Sequence, residues 1–397
     1  MKVKLLIVLL IIFCSCGRKS NDNKSDAGSV IKIDLLSEPG SKVEKLSEFA
    51  VDIDYIPLQT TENSLIGNLR SKIVNIDKRI YIQSNKEILC FDREGKFLFK
   101  LENSGRGPQE YVDIIDFDIS SDNKTLTILS KNKLLAYKIS ESDFTFLRSI
   151  TLKEPAPYRV SMIPETNNAF ISIAPWTGTE STLSLMVNTN GDTILFKPNC
   201  YKYNMVRERN FFSLNEMIAY TIGDKVCFKE EFSDTVFYVD EKDNSFKPRM
   251  ILNSHGTLNT PEVRGGTESA ENHPNYIANI FETPRYVYCY YISSGPTRNR
   301  FLYDKTTKTK YKLDIESKLK DDLGGGPEFD IEFLKKLCSN GNLFLYIEAL
   351  TLKKYIAGND FKNVRVKDPK KKDELKKLAD SLKETDNPVL VIVTPKE

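Results

Sequence analysis

An all-β chain folded as a six-bladed β-propeller with four-stranded blades is the fold class predicted by three features of this 397-residue sequence. Short apolar runs recur at near-constant spacing, several are followed by tight-turn residues, and helical periodicity is nearly absent until the C-terminal end. The runs are ILCF ending at Phe91, LLAY at Tyr137, SLMV at Val187, VFYV at Val239, RFLY at Tyr303 and LFLYI at Ile347, with successive intervals of 46, 50, 52, 64 and 44 residues. A spacing of about 40–50 residues built from short strands is that of propeller blades, in which each unit buries its faces only against its neighbours. Six runs predict six blades.

The elements can be justified in chain order. Lys2 and Lys4 precede an uninterrupted apolar run at residues 5–13, the pattern of a secretory signal. The run is far short of the roughly 20 apolar residues that a spanning helix needs. It ends in Phe13-Cys14-Ser15-Cys16, which resembles a bacterial lipobox and implies diacylation of Cys16, with Gly17 beside it implying the outer membrane. Residues 1–15 are therefore read as a lipoprotein signal peptide, residues 16–30 as a flexible polar tether, and residues 31–397 as the propeller. Residues 30–36 (VIKIDLL) and 51–58 (VDIDYIPL) alternate as strands, and either could pair with a C-terminal partner.

Within the blades, Asp92 to Gly95 (DREG) and Asn188 to Gly191 (NTNG) carry the Asx and Gly chemistry of tight hairpins, with degenerate copies after Val239 and Tyr303. The 64-residue interval contains a polar insertion at residues 253–275. One short C-terminal helix is expected over residues 370–384, where Leu375, Leu378, Ala379 and Leu382 share a face and Asn387-Pro388 ends the pattern. The apolar VLVIV at residues 389–393 reads as a closure strand that joins the chain ends and removes open sheet edges.

The stretch at residues 105–139, with its Gly-rich loop, aromatic residue, inner strand, polar turn and two further strands, resembles the repeat of NHL-type propellers. More specifically, the opening DIDYIPLQTTENSLIG and the ending LKKLADSLKETDNPVLVIV resemble six-bladed propeller lipoproteins of gut Bacteroidetes, whose activities are uncharacterised. The resemblance covers residues 31–397 and implies fold and a role near nutrient uptake or sensing, not an activity, because one propeller scaffold hosts many functions.

Candidate site residues follow from these elements. Arg106 and Tyr111 lie in GRGPQEY at residues 105–111, which has an echo in GGGPEF at residues 324–329. Such crossings between blades run near the mouth of the central channel, so Arg106 could meet a carboxylate or phosphate. Alternatively, the glycines permit tight crossings at positive φ while Tyr111 and Phe329 wedge between blades. Asp116 and Asp118 share one strand face, facing the channel or hydrated, and with Asp122 they lack the Gly and Glu of an EF-hand. Trp176, between Pro175 and Gly178, is a candidate exposed platform. His255, Arg264 and His273 occupy the polar insertion, but an 18-residue separation of the only two histidines matches no zinc spacing, and no metal or cofactor is predicted. Tyr286, Tyr288 and Tyr290 form a stripe that could stack on sugars or pack between blades.

Composition narrows the partners. Lys and Arg number 57 against 55 Asp and Glu, and removal of Lys2 and Lys4 with the signal leaves 55 against 55. Without a basic excess, nucleic-acid binding is not expected. Nucleophile elbows of the G-x-S-x-G type are absent, as are the sequence boxes of sialidases. The five cysteines beyond residue 16 include no C-x-x-C pair, and most sit in apolar runs as small buried hydrophobes. The sequence thus predicts a lipid-anchored envelope protein, touching the membrane through its lipid alone. Its propeller binds an envelope protein or a glycan or peptide ligand; the alternative is a hydrolase or lyase acting on such fragments in the channel.

Overall fold

A computed structural model describes residues 30–67, 73–76, 79–154, 156–204, 217–293, 297–314, 318–328, 335–336 and 341–397. The expected signal peptide, the tether below residue 30, Cys14, Cys16, Phe329 and Cys338 lie outside the described residues. Six sheets stand in a ring as blades, and within each the strands run in chain order from the centre outward, except that two N-terminal strands are added at the outer edges of the fourth and sixth. Two strands precede the blades, β1 (Ile31–Asp34) and β2 (Ala50–Pro57). The first blade is β3 (Ile73–Ile76), β4 (Arg79–Ser84), β5 (Glu87–Asp92) and β6 (Phe97–Leu101), and the second is β7 (Asp116–Ile119), β8 (Thr125–Ser130), β9 (Lys133–Ile139) and β10 (Phe144–Thr151). The third is β11 (Pro157–Met162), β12 (Ala169–Ile173), β13 (Thr182–Val187) and β14 (Thr193–Pro198), and the fourth is β15 (Met217–Ile222), β16 (Lys225–Glu230), β17 (Thr235–Asp240) and β18 (Ser245–Asn253). The fifth is β19 (Tyr276–Glu282), β20 (Tyr286–Ile292), β21 (Arg298–Asp304) and β22 (Thr309–Lys312), and the sixth is β23 (Lys335–Lys336), β24 (Leu343–Ile347), β25 (Val389–Pro395) and, outermost, β2.

The expected closure is present. β2 pairs antiparallel with β25, Ala50 opposite Pro395 and Pro57 opposite Val389, so the last blade contains both ends of the propeller. The other N-terminal strand does something the sequence did not foretell. β1 adds parallel to β18 as a fifth strand of the fourth blade, Ile31 opposite Met250. The chain then crosses the fifth blade, bridging Lys42 to Lys312 and Lys45 to Lys320, before entering β2. Residues 31–57 therefore form a strap over three blades. The nearly buried Lys310 ammonium holds it, donating to the carbonyls of Asp34, Leu35 and Ser37 at 3.0, 2.9 and 2.6 Å and lying 4.4 Å from the Phe301 ring centre. Three carbonyl acceptors replace the water such a buried charge would otherwise need.

The blades account for the register of the repeat, with one correction. Five of the six apolar runs are third strands, but LFLYI is the second strand of the sixth blade, and its third strand is the VLVIV segment. Between them stands a helical insertion of α2 (Ala349–Ala357), α3 (Asn359–Asn363) and α4 (Pro369–Ser381), where one short helix was expected; a short α1 (Pro261–Gly265) lies in the polar insertion. Asp368 caps α4 by accepting from the Lys370 N–H at 3.0 Å, ahead of Pro369 in the first turn. The predicted hairpins form, with Gly95 and Gly191 at φ of 86° and 90° and the Asp92 and Asn188 side chains accepting from backbone N–H groups of their own turns.

The core is divided into wedges, one apolar cluster at each of the six contacts between neighbouring blades. This is why central strands such as β8 and β13 are buried along both faces instead of alternating. β20 shows the division residue by residue: Tyr286, Tyr288 and Tyr290 pack toward the sixth blade, while Val287, Cys289 and Tyr291 pack toward the fourth. The tyrosine stripe is inter-blade packing. Cys90, Cys227 and Cys289 are buried and Cys200 is exposed, none of the four in a disulfide. No helix among the described residues is long and apolar enough to cross a membrane.

Candidate functional site

The alternation of strand directions places the crossings between blades, the turns joining second to third strands and the helical insertion on one face of the ring. Arg106, Trp176, His255, Arg264 and His273 all belong to crossings or turns of that face, but each has a separate setting.

Arg106 is exposed in the crossing from the first to the second blade. Tyr111, at the end of that crossing, is buried among both blades, its hydroxyl donating to the Lys86 carbonyl at 2.8 Å. Its ring wedges between the two blades. Gly105 and Gly107 are there for room rather than for positive φ. A Cβ at Gly105 would lie 1.9 Å from Glu110 Oε2, and that carboxylate accepts from the Gly107 N–H at 2.7 Å. Asp116 and Asp118 turn out to join blades. Their carboxylates accept from the backbone N–H groups of Val160 and Met162 on β11, at 2.9 and 2.8 Å, so the second and third inner strands are held side by side.

Trp176 stands 47% exposed in the turn after β12. His255 Nε2 lies 3.1 Å from Asp34 on the strap, and this contact, ahead of two backbone N–H donors, holds the Asp34 carboxyl below its ordinary range. The polar insertion is pinned at its base, where Asn259 and Asn275 exchange backbone bonds with their surroundings and Asn275 Nδ2 donates to Thr257 Oγ1 at 2.6 Å. Among the described residues no three His, Cys, Asp or Glu side chains gather to hold a metal ion.

A well-formed concavity lies elsewhere, in a cleft of about 880 Å³ between the crossing from the fifth to the sixth blade and the helical insertion. Its frame is Asp321, buried to 1% exposure. Asp321 Oδ1 accepts from the N–H groups of Leu323 and Gly324 at 3.0 and 2.8 Å, and Oδ2 from the Gly326 N–H at 2.7 Å and the Tyr55 hydroxyl at 2.5 Å. The Gly-rich echo exists for this fold: Gly325 has φ of 81°, and a Cβ at Gly326 would lie 1.9 Å from the Tyr55 oxygen. Asp322 accepts from the N–H and hydroxyl of Ser47 on the strap at 2.9 and 2.6 Å, and its carbonyl receives the Lys367 N–H at 2.8 Å. Strap, crossing and insertion are thereby stitched into one rim.

Five cations edge this cleft, Lys45 from the strap, Lys318 and Lys320 from the crossing, and Arg365 and Lys367 from the link after α3. All five are exposed, and none has an ion-pair partner among the described residues. Two of the four acids on the wall, Asp321 and Asp322, are already engaged by the bonds above, leaving Glu328 and Asp360 facing the cleft. Tyr355 on α2 contributes its ring and hydroxyl; burial first, then the nearby carboxylates, push the phenol up to about 12, so it is a neutral donor at physiological pH. A concave site with apolar walls and a few polar groups of both kinds is the form of a ligand pocket. None of the individually predicted site residues lines it. The signal that pointed there was the Gly-Pro echo at residues 324–329, of which residues 326–328 are in the wall.

Residues 30–394 match a domain of unknown function, DUF4934. The chain belongs to the DUF4934 family. No curated protein matches the sequence. Among solved structures, a protein described as exported, from Bacteroides fragilis, shares 20% identity with this DUF4934 chain; the match covers 93% of this chain and 100% of that one at a TM-score of 0.68. At that identity the likeness is one of fold. A DUF4221 member from Bacteroides vulgatus aligns over 87% of this chain and 97% of its own at 11% identity and a TM-score of 0.46.

Proposed function

We propose that this DUF4934 propeller is a ligand-binding module of the bacterial envelope, exported by its signal segment and held by lipid on Cys16, with its binding site in the cleft between the fifth-to-sixth-blade crossing and the helical insertion. The observation that carries this reading is the combination found there: a concavity of ligand size, a hydrogen-bonded rim, and exposed cations that form no ion pair among the described residues. The exported relative of the same fold supports the address. The Gly-rich crossing followed by strand, turn and strand supports kinship with NHL-type propellers, and the outer membrane is the expected leaflet system from Gly17 beside Cys16. Asp116, Asp118 and Tyr111 have structural work between blades, which favours binding over chemistry in the channel.

The test is a thermal-shift screen of the protein against glycan fragments, peptides and divalent metals. A ligand at 100 times its dissociation constant stabilises by about 2.7 kcal/mol. The reading expects a shift that is lost in Asn363→Trp, which fills the mouth of the cleft from the exposed face of α3. A shift that survives Asn363→Trp and disappears in Arg106→Ala would move the site to the first crossing.

A further inference from the structure

The cleft also states what kind of ligand it takes, and the inference rests on the binding reading above. We propose that the cleft binds an acidic oligosaccharide, its anionic groups held by Lys45, Lys318, Lys320, Arg365 and Lys367 and its hydroxyls by Glu328 and Asp360.

Three features of the wall converge on that class. The five cations come from three separately anchored segments, yet they surround one cavity and form no ion pair among the described residues. Set against the four carboxylates of the same wall, the five cations leave a formal excess of one positive charge, so the arrangement suits a ligand that brings a few separate anionic groups to individual cations rather than a dense polyanion. The second feature separates a sugar acid from a bare phosphate. Glu328 and Asp360 stand in the same wall, and ionised carboxylates only accept hydrogen bonds. A polyphosphate offers them no donor and is repelled, whereas sugar hydroxyls donate to them while the acid groups of the same chain reach the cations. The third is apolar surface: the Tyr355 ring, Pro327, Val364 and Val366 offer faces for the C–H surface of a pyranose, with the Tyr355 hydroxyl as a neutral donor at their edge.

The experiment is calorimetric titration of the full chain with five probes: a uronate tetrasaccharide, a sulfated tetrasaccharide, a neutral glucose tetrasaccharide, inorganic tripolyphosphate and hexaglutamate. The expected result is binding of one or both acidic saccharides that weakens with added salt, and at least tenfold weaker binding of the other three. The two acidic arms distinguish carboxylate from sulfate as the recognised group. Lys320→Gln and Arg365→Gln should each cost about tenfold in affinity, and Tyr355→Phe, which keeps the ring, a smaller loss; circular dichroism and unchanged unfolding midpoints establish that these surface variants are folded. Tripolyphosphate or hexaglutamate binding as tightly as the saccharides overturns the proposal, as does failure of both acidic saccharides to bind. A neutral saccharide that binds equally well and is lost in Asn363→Trp overturns the charge class but keeps the cleft. Acidic saccharides that bind with affinities unmoved by all the substitutions overturn the cleft as well.

Discussion

The Tyr55 hydroxyl donates to the Asp321 carboxylate across 2.5 Å, and this one bond ties the strand that closes the ring to the crossing that enters the same blade. Asp321 takes three backbone N–H groups in addition, so its charge organises the Gly-rich turn and the closure together. Asp321→Asn replaces one accepting oxygen with a donor and leaves buried donors unmatched. Hydrogen bonds to charged groups contribute about 1.5–3 kcal/mol each in net terms, so the expected loss is about 2–4 kcal/mol, read as a lower urea midpoint at unchanged slope. Tyr55→Phe removes one donor only and should cost less. A loss under about 0.5 kcal/mol for Asp321→Asn would refute the keystone role.

Tyr55 also predicts an alkaline limit. Burial first, and then the Asp321 carboxylate, hold its phenol well above the ordinary range. The folded chain therefore keeps the proton after the unfolded chain has released it near pH 10. Its contribution is complete below about pH 10 and is lost as pH rises toward the folded value. Wild type should lose stability above pH 10 more steeply than Tyr55→Phe, and equal slopes in pH-dependent urea titrations would remove Tyr55 as the cause.

Between the fourth and fifth blades, Glu282 is fully buried and receives Arg249 at 3.0 and 3.3 Å, Lys305 at 3.1 Å and the Tyr220 hydroxyl at 2.8 Å. Burial alone would raise its carboxyl, but Lys305 and Arg249 outweigh burial and hold it below the usual range. Stability from this carboxylate is present above the unfolded value of about 4.3 and is lost as pH falls through the folded one. Glu282→Gln leaves two cations without their shared counter-charge and should cost about 3–5 kcal/mol. It should also flatten the acid limb of the stability profile, which differential scanning calorimetry across pH 3–6 would reveal; an unchanged limb would assign acid sensitivity elsewhere.

Lys229 predicts a slope of the same sign in the alkaline range, opposite to that of Tyr55. It is buried on β16 with Nζ donating to the carbonyls of Glu230 and Glu231 at 2.8 and 3.2 Å, and burial, opposed by Glu231 and Asp234, pushes it down to about 8. From pH 8 to the unfolded value of about 10.4 the unfolded chain carries more protons, so this residue makes the fold more stable as pH rises, by at most about 1.4 kcal/mol per pH unit. The stability of wild type relative to Lys229→Met should climb across pH 8–10. A flat difference would mean that the ammonium is not desolvated.

Much of this fold could be read from the chain, and the misses have physical causes. Apolar runs flanked by Asx-Gly turns reported the third strands because those strands are buried by blades on both sides. LFLYI sits one place further in than expected because a buried second strand and a buried third strand look alike and its interval of 44 residues from RFLY falls among the others, while the 41 residues from 348 to 388 separate it from its third-strand partner. Leu352 and Ile356 on α2 are an i, i+4 pair that marked the missed helix. The strap was invisible because β1 pairs through backbone with a strand more than 200 residues away. At the site, His255, His273 and Arg106 stand out in the sequence as residue types that carry chemistry, whereas the cleft is edged by ordinary lysines and one arginine whose meaning comes only from their gathering in space.

The cysteines test the ring as a closed structure. Cys90 lies in the wedge between the first and second blades and Cys289 in that between the fourth and fifth, both buried, with thiols pushed up to about 12 by desolvation. Thiolate is the reacting form, so neither can be alkylated without local opening that brings it to water. Cys200, exposed beside β14, needs no opening. Iodoacetamide at pH 8, read by peptide mass mapping so that each thiol is followed separately, should modify Cys200 within minutes and leave Cys90 and Cys289 unmodified for hours. Their rates should then rise with urea in parallel if the blades open as one cooperative unit. In Asp321→Asn the closure is weakened, and cooperative opening requires both rates to rise together. If only the thiol nearer the substituted crossing accelerates, the wedges open one at a time and the blades do not form one cooperative unit.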